Sequence, residues 1–471
     1  MVFSSISFLF VFLPAVLLLY YAVPQRFLGA RNGILLAASL LFYFYGEQLM
    51  VLALLFSVAI NYTCSLLIER FRGERIIPKI TLAVSLLANL GLLGYFKYCD
   101  FFIENINSML NISLPLLKAV MPIGISFYTF QNMSYTVDIY LARTKAQRNL
   151  VKFATYVAMF PQLVAGPIVR YTEVERELDN RAITIAGFSY GVRRFVLGLA
   201  KKVLVANTMA ELGSIISYSG ESSVLFAWMG AAAFFFQIYF DFSGYSDMAI
   251  GLGAMLGFKF PENFNLPYMA RSVTDFWRRW HMTLSRWFRD YIYIPLGGNR
   301  VSKPKWFFNI AVVWLLTGFW HGASWNFIAW GLYFAALLAL EKLVLLKVLG
   351  KIPRVFGHIF AMAAVFFGFV IFNADTLSEV GRNFAAMSGM GGRAFWGVES
   401  RYYLSSYAGL FAIAAVASTP LVAAIGGKLR RNMVITRVLD IAEPVAIMAL
   451  LLLTVGFLVD GSFNPFLYFR F

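Results

Sequence analysis

Arg271–Arg300 reads RSVTDFWRRWHMTLSRWFRDYIYIPLGGNR, and Trp306–Leu340 reads WFFNIAVVWLLTGFWHGASWNFIAWGLYFAALLAL. Between them they hold two of the chain's three histidines, His281 and His321, each directly after a tryptophan. Trp306–Trp320 and Ser324–Leu340 carry no acidic or basic residue. Such runs predict two membrane-embedded helices, broken at Gly322, with Ser324 capping the second. An imidazole at that turn is costly in a bilayer without a partner, so His321 is a functional-site candidate, with a satisfied structural histidine as the alternative.

The first stretch predicts an amphipathic helix over 272–292. At 100° per residue Arg278, Arg279, Met282, Arg286, Arg289 and Asp290 fall on one side, and Phe276, Trp277, Trp280, Leu284, Trp287, Phe288 and Tyr291 on the other. Ser272 and Thr274 suit its start, and Asp275/Arg279 and Arg286/Asp290 are i,i+4 pairs. The simplest use of its arginines and tryptophans is to lie on anionic lipid. His281, at the edge of the aromatic face, is open to a functional reading as well.

Composition sets the class. The 471 residues are 60% hydrophobic and 14% charged with a mean hydropathy of +0.70, beyond what a water-soluble domain of this size shows. The prediction is an all-α polytopic membrane protein with roughly ten to twelve membrane helices plus re-entrant and interfacial ones. A net charge of +16 in such a chain marks cytoplasmic loops rather than nucleic-acid binding. Cys64 and Cys99 lie far apart in apolar sequence and argue for neither a disulfide framework nor a metal site.

Ile6–Val23 is apolar with its first basic residue, Arg26, after it, which predicts a retained first span with an outside N-terminus. Spans follow near 33–46, 49–68, 80–97 and 119–140, and the loops between them alternate between basic and uncharged or acidic. FPQLVAGP, within 155–168, predicts a re-entrant segment lined by protein. Further spans are expected near 184–205, 223–240, 356–373, 405–426 and 440–459. From Lys259 to Lys305 nine basic residues face three acidic ones, which places that block on the cytoplasmic side. The chain reads as one membrane-embedded domain over 1–471: N-terminal helices over 1–150, a core over 151–345 with the interfacial helix 272–292, and C-terminal helices over 346–471.

Two polar clusters interrupt apolar sequence. Tyr128, Gln131, Tyr135 and Asp138 recur at helical spacing, after Pro122 at a helix start. Gln237, Tyr239, Asp241, Tyr245 and Asp247 surround Ser243-Gly244, where a helix break is expected. Interhelical hydrogen bonding accounts for most of these residues. Asp241 and Asp247 either orient a histidine or cap a helix.

There is no GxGxxG, P-loop, HExxH or GxSxG. What is left is histidine chemistry within the membrane beside a positively charged face. Acyl transfer fits it: a histidine takes the proton of an attacking hydroxyl, while nearby donors stabilise the oxyanion.

YFDFSGYSDMAIG, LPYMARSVTDFWRRWHMTLSRWFRDYIYIPLGGNR and LTGFWHGASWNFIAWG resemble the signature blocks of the membrane-bound O-acyltransferase family. MVFSSISFLFVFLP and FPQLVAGPIVR resemble its bacterial branch that O-acetylates alginate and other exported polysaccharides, a branch related to the proteins of teichoic acid D-alanylation. The resemblance spans essentially the whole chain. It implies a multi-pass acyltransferase of the bacterial cytoplasmic (inner) membrane, with His321 catalytic and His281 at a second polar position that is Asn elsewhere in the family. No bound cofactor is implied; the donor is acetyl-coenzyme A or another acyl thioester, on coenzyme A or a carrier. The acceptor is an exported polysaccharide, reached directly or through an extracytoplasmic O-acetyltransferase partner.

On this reading Arg278 and Arg279 draw in the anionic donor, and the acyl group passes Trp280, Trp320 and the segment bearing Gln237, Asp241 and Asp247. The rival class is a proton-coupled transporter or flippase, using His321, Asp241 and Asp247 without covalent chemistry. A passive scaffold for polysaccharide export is a third.

Overall fold

The computed structural model describes residues 2–461, 464 and 467. The chain is 76% helical, and no strand occurs among the described residues. Five helical stretches there are long and apolar enough to cross a membrane: Leu28–Arg70, Ile77–Leu110, Val224–Met255, Arg354–Asn373 and Met433–Asp460. A sixth, Val398–Ala417 with Leu421–Leu429, passes the same test as a pair bent by 65°. The protein is an all-α polytopic integral membrane protein. Its long apolar surfaces, such as that of Met433–Asp460, where Thr454 is the one buried residue, face outward as lipid-contacting helices do.

The chain divides into two compact units, residues 1–195 with 245–261, and residues 196–244 with 262–471. In the first, the helices Val51–Arg70, Ile77–Leu93 and Ile125–Tyr140 pack together around amides and hydroxyls. Asn89 Nδ2 donates to Asn61 Oδ1 at 2.9 Å, Asn61 Nδ2 to Asn89 Oδ1 at 3.2 Å, and Ser85 Oγ to Asn61 Oδ1 at 2.8 Å. Asn132 Nδ2 donates to Ser57 Oγ at 2.8 Å. Pairing polar groups across helices is how a bundle without a hydrophobic driving force is held, at about 0.6 kcal/mol per bond on average. The predicted polar stripe lies on Ile125–Tyr140, with Tyr128, Gln131, Tyr135 and Asp138 all buried, and Asp138 pairs with Arg143 at 2.9 Å.

The FPQLVAGP segment is a single short turn, Phe160–Leu163, followed by irregular backbone, and residues 153–169 are all buried. Irregular backbone is tolerated at membrane depth only with protein around it, as the prolines and glycine predicted.

The second unit is built on aromatic packing. The helices Lys303–His321 and Trp325–Leu340 form a hairpin that packs on Arg354–Asn373. Gly318 and Gly331 make its close approach possible: a methyl at Gly318 would run into the carbonyl of Phe327, and one at Gly331 into that of Trp314.

Three local expectations change. The predicted break at Ser243-Gly244 is absent, because Val224–Met255 is one continuous helix; a Cβ at Gly244 would lie 2.7 Å from the Gly198 carbonyl, so the glycine serves close packing. The predicted continuous helix 272–292 is instead Val273–Trp277, a turn, Met282–Phe288 and a wider turn, Arg289–Tyr293. Ser324 stands at the N-cap position of Trp325–Leu340, but its hydroxyl makes no cap bond and donates to Asn326 Oδ1.

Candidate functional site

The site is assembled in the second unit by a helix start held from outside. Ser272 accepts from Asp275 N at 3.0 Å, the cap expected from sequence. The neighbouring orphan donors go elsewhere: Val273 N and Thr274 N donate to the two carboxylate oxygens of Glu341, at 2.6 and 2.9 Å. Glu341 is 0% exposed and lies just past the Trp325–Leu340 helix. A buried carboxylate at a helix N-terminus is stabilised by the N–H groups and the helix dipole together.

The aromatic side of the stretch faces protein rather than lipid. Phe276, Trp280, Trp287 and Phe288 are all buried. Phe276 and Trp280 stack at 5.4 Å, Trp280 lies 5.2 Å from Phe369, and Trp277 packs edge-on against Trp314 at 4.7 Å. The periodicity is that of a helix on lipid or on protein alike; here the aromatic residues of neighbouring helices supply the partner.

The turn after Trp280 bends the chain at His281, whose backbone is left-handed at φ 42° and ψ 54°. That conformation is costly for most side chains and better tolerated by His. It is held by Met282 N, which donates to the Asn263 carbonyl at 2.9 Å. The Asn263 side chain completes the hold: His281 Nδ1 lies 3.1 Å from Asn263 Oδ1, which also accepts from Thr283 Oγ1 at 2.9 Å. The ring packs edge-on to Phe242 at 4.7 Å and lies 6.0 Å from Trp320. Burial first, and the neighbouring His321 second, keep His281 well below the ordinary imidazole range and therefore neutral.

His321 ends its helix, and the extended Gly322 (φ −170°) turns the chain away. It is 7% exposed, with Trp320, Trp330 and Phe372 around it edge-on at 4.9, 5.2 and 5.2 Å.

Both histidines line one cavity of about 230 Å³. Trp277, Trp280, Trp314 and Thr317 form apolar and hydroxyl parts of its wall, and Arg278, Arg289 and Lys342 bring positive charge to it. Burial, with the Arg278 charge adding to it, lowers the ammonium of Lys342 below its usual range.

A second cavity of about 440 Å³ is lined by Gln237, Asn373, Glu379 and Asn383 beside Phe234 and Phe369. The Arg354–Asn373 helix lines the second cavity through Phe369 and packs against two residues of the first, Phe369 against Trp280 and Phe372 against His321.

The expected site residues therefore separate. His321, His281, Trp280 and Arg278 meet at the first cavity, and Trp320 lies against both histidines without lining it. Arg279 pairs with Asp275 at 2.8 Å, and Gln237 lines the second cavity. Asp241 pairs with buried Lys202 at 2.9 Å and accepts from Leu467 N at 3.0 Å. Asp247 belongs to the first unit, where it pairs with Arg194 at 2.6 Å.

Sequence reasoning passed over Asn263, Glu341, Lys342 and Phe369. Glu341 carried a signal, an acidic residue closing an apolar run, whereas Asn263 in a polar loop carried none. No group of three or more His, Cys, Asp or Glu side chains gathers at metal-ligand spacing among the described residues.

The model of MBOAT, the membrane-bound O-acyltransferase family, matches residues 40–372, which include both histidines and the whole 272–340 stretch. The chain belongs to that family. It is an O-acyltransferase of the membrane-bound type, similar to a probable alginate O-acetylase of Azotobacter vinelandii at 42% identity over 396 residues, covering 83% of this chain and 79% of the relative. A peptidoglycan O-acetyltransferase of Helicobacter pylori is 34% identical over 429 residues, covering 83% and 80%. A teichoic acid D-alanyltransferase of Bacillus subtilis is 31% identical over 233 residues, covering 46% and 58%. The names of these relatives give acetyl or D-alanyl as the group and alginate, peptidoglycan or teichoic acid as its acceptor.

Proposed function

We propose that this membrane-bound O-acyltransferase takes an acetyl group from a cytoplasmic thioester, acetyl-coenzyme A, and transfers it across the bacterial inner membrane for O-acetylation of an exported polysaccharide. The observation that carries the reading is the convergence of His321 and His281 on one buried cavity with Arg278, Arg289 and Lys342 in its wall. Cations at that wall suit the phosphates of a nucleotide-bearing thioester, and its indoles suit the thin acyl arm. The excess of basic residues over 259–305 supports a cytoplasmic approach.

In the proposed reaction His321 accepts the proton of an acceptor hydroxyl as that oxygen attacks the thioester carbonyl. The carbon–sulfur bond breaks, an ester forms, and the departing thiolate takes up a proton to leave free coenzyme A. Positioned general-base catalysis of this kind contributes about 100- to 10,000-fold. The second cavity, with its amides and carboxylate beside phenylalanine faces, suits a hydroxyl-rich acceptor or the hydroxyl side chain of an extracytoplasmic transferase. The names of the alginate and peptidoglycan relatives favour acetyl as the group and a glycan as its destination.

The test is transfer of label from radiolabelled acetyl-coenzyme A in membrane vesicles, comparing wild type with His321→Ala and His281→Ala at matched expression. Label on a glycan or protein acceptor that disappears with His321→Ala is expected. Full transfer by His321→Ala, or no coenzyme-A-dependent label with any acceptor, would overturn the assignment.

A further inference from the structure

We infer that Asn263 is a positioning residue, which fixes His281 as the Nδ1–H tautomer so that its Nε2 lone pair is the group presented beside His321. The inference rests on the acyl-transfer reading above and adds to it a residue and a protonation pattern.

The tautomer follows from what each neighbour is able to do. The side-chain atom of Asn263 near His281 also lies 3.3 Å from the backbone N of Thr283, and a backbone N–H only donates. That atom is therefore the amide oxygen, in agreement with Thr283 Oγ1 donating to it at 2.9 Å. An amide oxygen only accepts, so the His281 nitrogen 3.1 Å away must carry the proton. The other nitrogen, Nε2, is left with its lone pair.

Nε2 is buried and has no hydrogen-bond partner among the described residues, although His281 is only 2% exposed. A buried acceptor with no protein donor, on a residue that lines a cavity, is explained by a donor that arrives with the substrate. The surroundings keep it an acceptor: Phe242 and Trp320 pack on the ring, His321 is the titratable group coupled to it, and the charges lining the same cavity are the cations Arg278, Arg289 and Lys342. Positive neighbours oppose a second proton on the ring.

Asn263 is suited to this and not replaceable by a carboxylate. It is 0% exposed, and its own carbonyl accepts from Met282 N at 2.9 Å, so side chain and backbone hold the same left-handed turn. A neutral oxygen orients the ring without adding basicity, whereas an aspartate would favour the imidazolium and turn Nε2 into a donor.

The experiment is a double-mutant cycle in vesicles with radiolabelled acetyl-coenzyme A. Asn263→Leu, of similar size and without an acceptor, should lower kcat by about 100-fold with little change in KM. In a His281→Ala background the same change should cost less than about two-fold, because its effect runs through the imidazole. Equal losses in both backgrounds would overturn the inference and leave Asn263 as packing alone. Should Asn263→Leu fail to accumulate, Asn263→Asp keeps the oxygen acceptor and reads the same question. Its activity should fall away on acidification at a pH about one unit or more above wild type. An unmoved acid limb would overturn the tautomer assignment. Loss of the parent reading shows separately, as full transfer by His321→Ala.

Discussion

Replacing Glu341 tests whether one buried carboxylate holds a wall of the histidine-lined cavity in place. Its two oxygens take the N–H groups of Val273 and Thr274, at 2.6 and 2.9 Å, and the carboxyl is wholly enclosed. Glu341→Ala leaves two backbone donors with no acceptor, each costing about 1 to 3 kcal/mol, so a loss of about 2 to 6 kcal/mol is expected. Glu341→Gln keeps one oxygen but turns an amide N–H towards a backbone N–H, and should lose at least half as much. The helix so released leads into the turn that carries Arg278, Trp280 and His281, all of which line the cavity. A displacement of about 1 Å there costs about 100-fold in rate. Thermal unfolding in detergent and acetyl transfer in vesicles, measured on the same preparations, check both effects. Glu341→Ala with wild-type unfolding temperature and wild-type transfer would refute the argument.

Three further outcomes are expected. Lys202→Met or Asp241→Leu alone should each destabilise by about 3 to 5 kcal/mol, because either leaves a buried charge without its 2.9 Å partner, while the double variant should recover most of the loss in a denaturation series. Gly331→Leu should separate the helix hairpin, since even a methyl there meets the Trp314 carbonyl; a lower unfolding temperature and reduced transfer would be read together. Because burial and His321 depress the pKa of His281, the neutral ring should persist below the ordinary value of about 6.5, so transfer should not show an acid limb from this group at about pH 6.5. The sign for stability is fixed likewise: the unfolded ring binds a proton that the folded one refuses, so unfolding temperature should fall as pH drops below about 6.5, and less so in His281→Ala.

Much of the architecture was legible because membrane helices advertise themselves. Apolar length and the charge pattern of the loops suffice for an all-α multi-pass protein, and the prolines and glycine of FPQLVAGP for irregular backbone inside protein. The cost of an imidazole in apolar sequence singled out His321 and His281, and the cavity does join them. Local chemistry was less decisive where two outcomes share one pattern. The aromatic face of 272–292 suits lipid and protein equally, and a glycine marks a break or a close contact, as Ser243-Gly244 showed by staying helical.

By itself, then, the sequence determined class and family and singled out two histidines as candidates, since each depends on composition or on contiguous residues. Partnership was decided only by the tertiary structure. Lys202 lies 39 residues before Asp241, Glu341 lies 68 residues after Val273, and Asn263 lies 18 residues before His281. In each pair the two residues belong to different elements, so no pattern within a single helix reports them. A polar side chain in such a membrane protein must find a partner, but which one it finds depends on how the helices close around it.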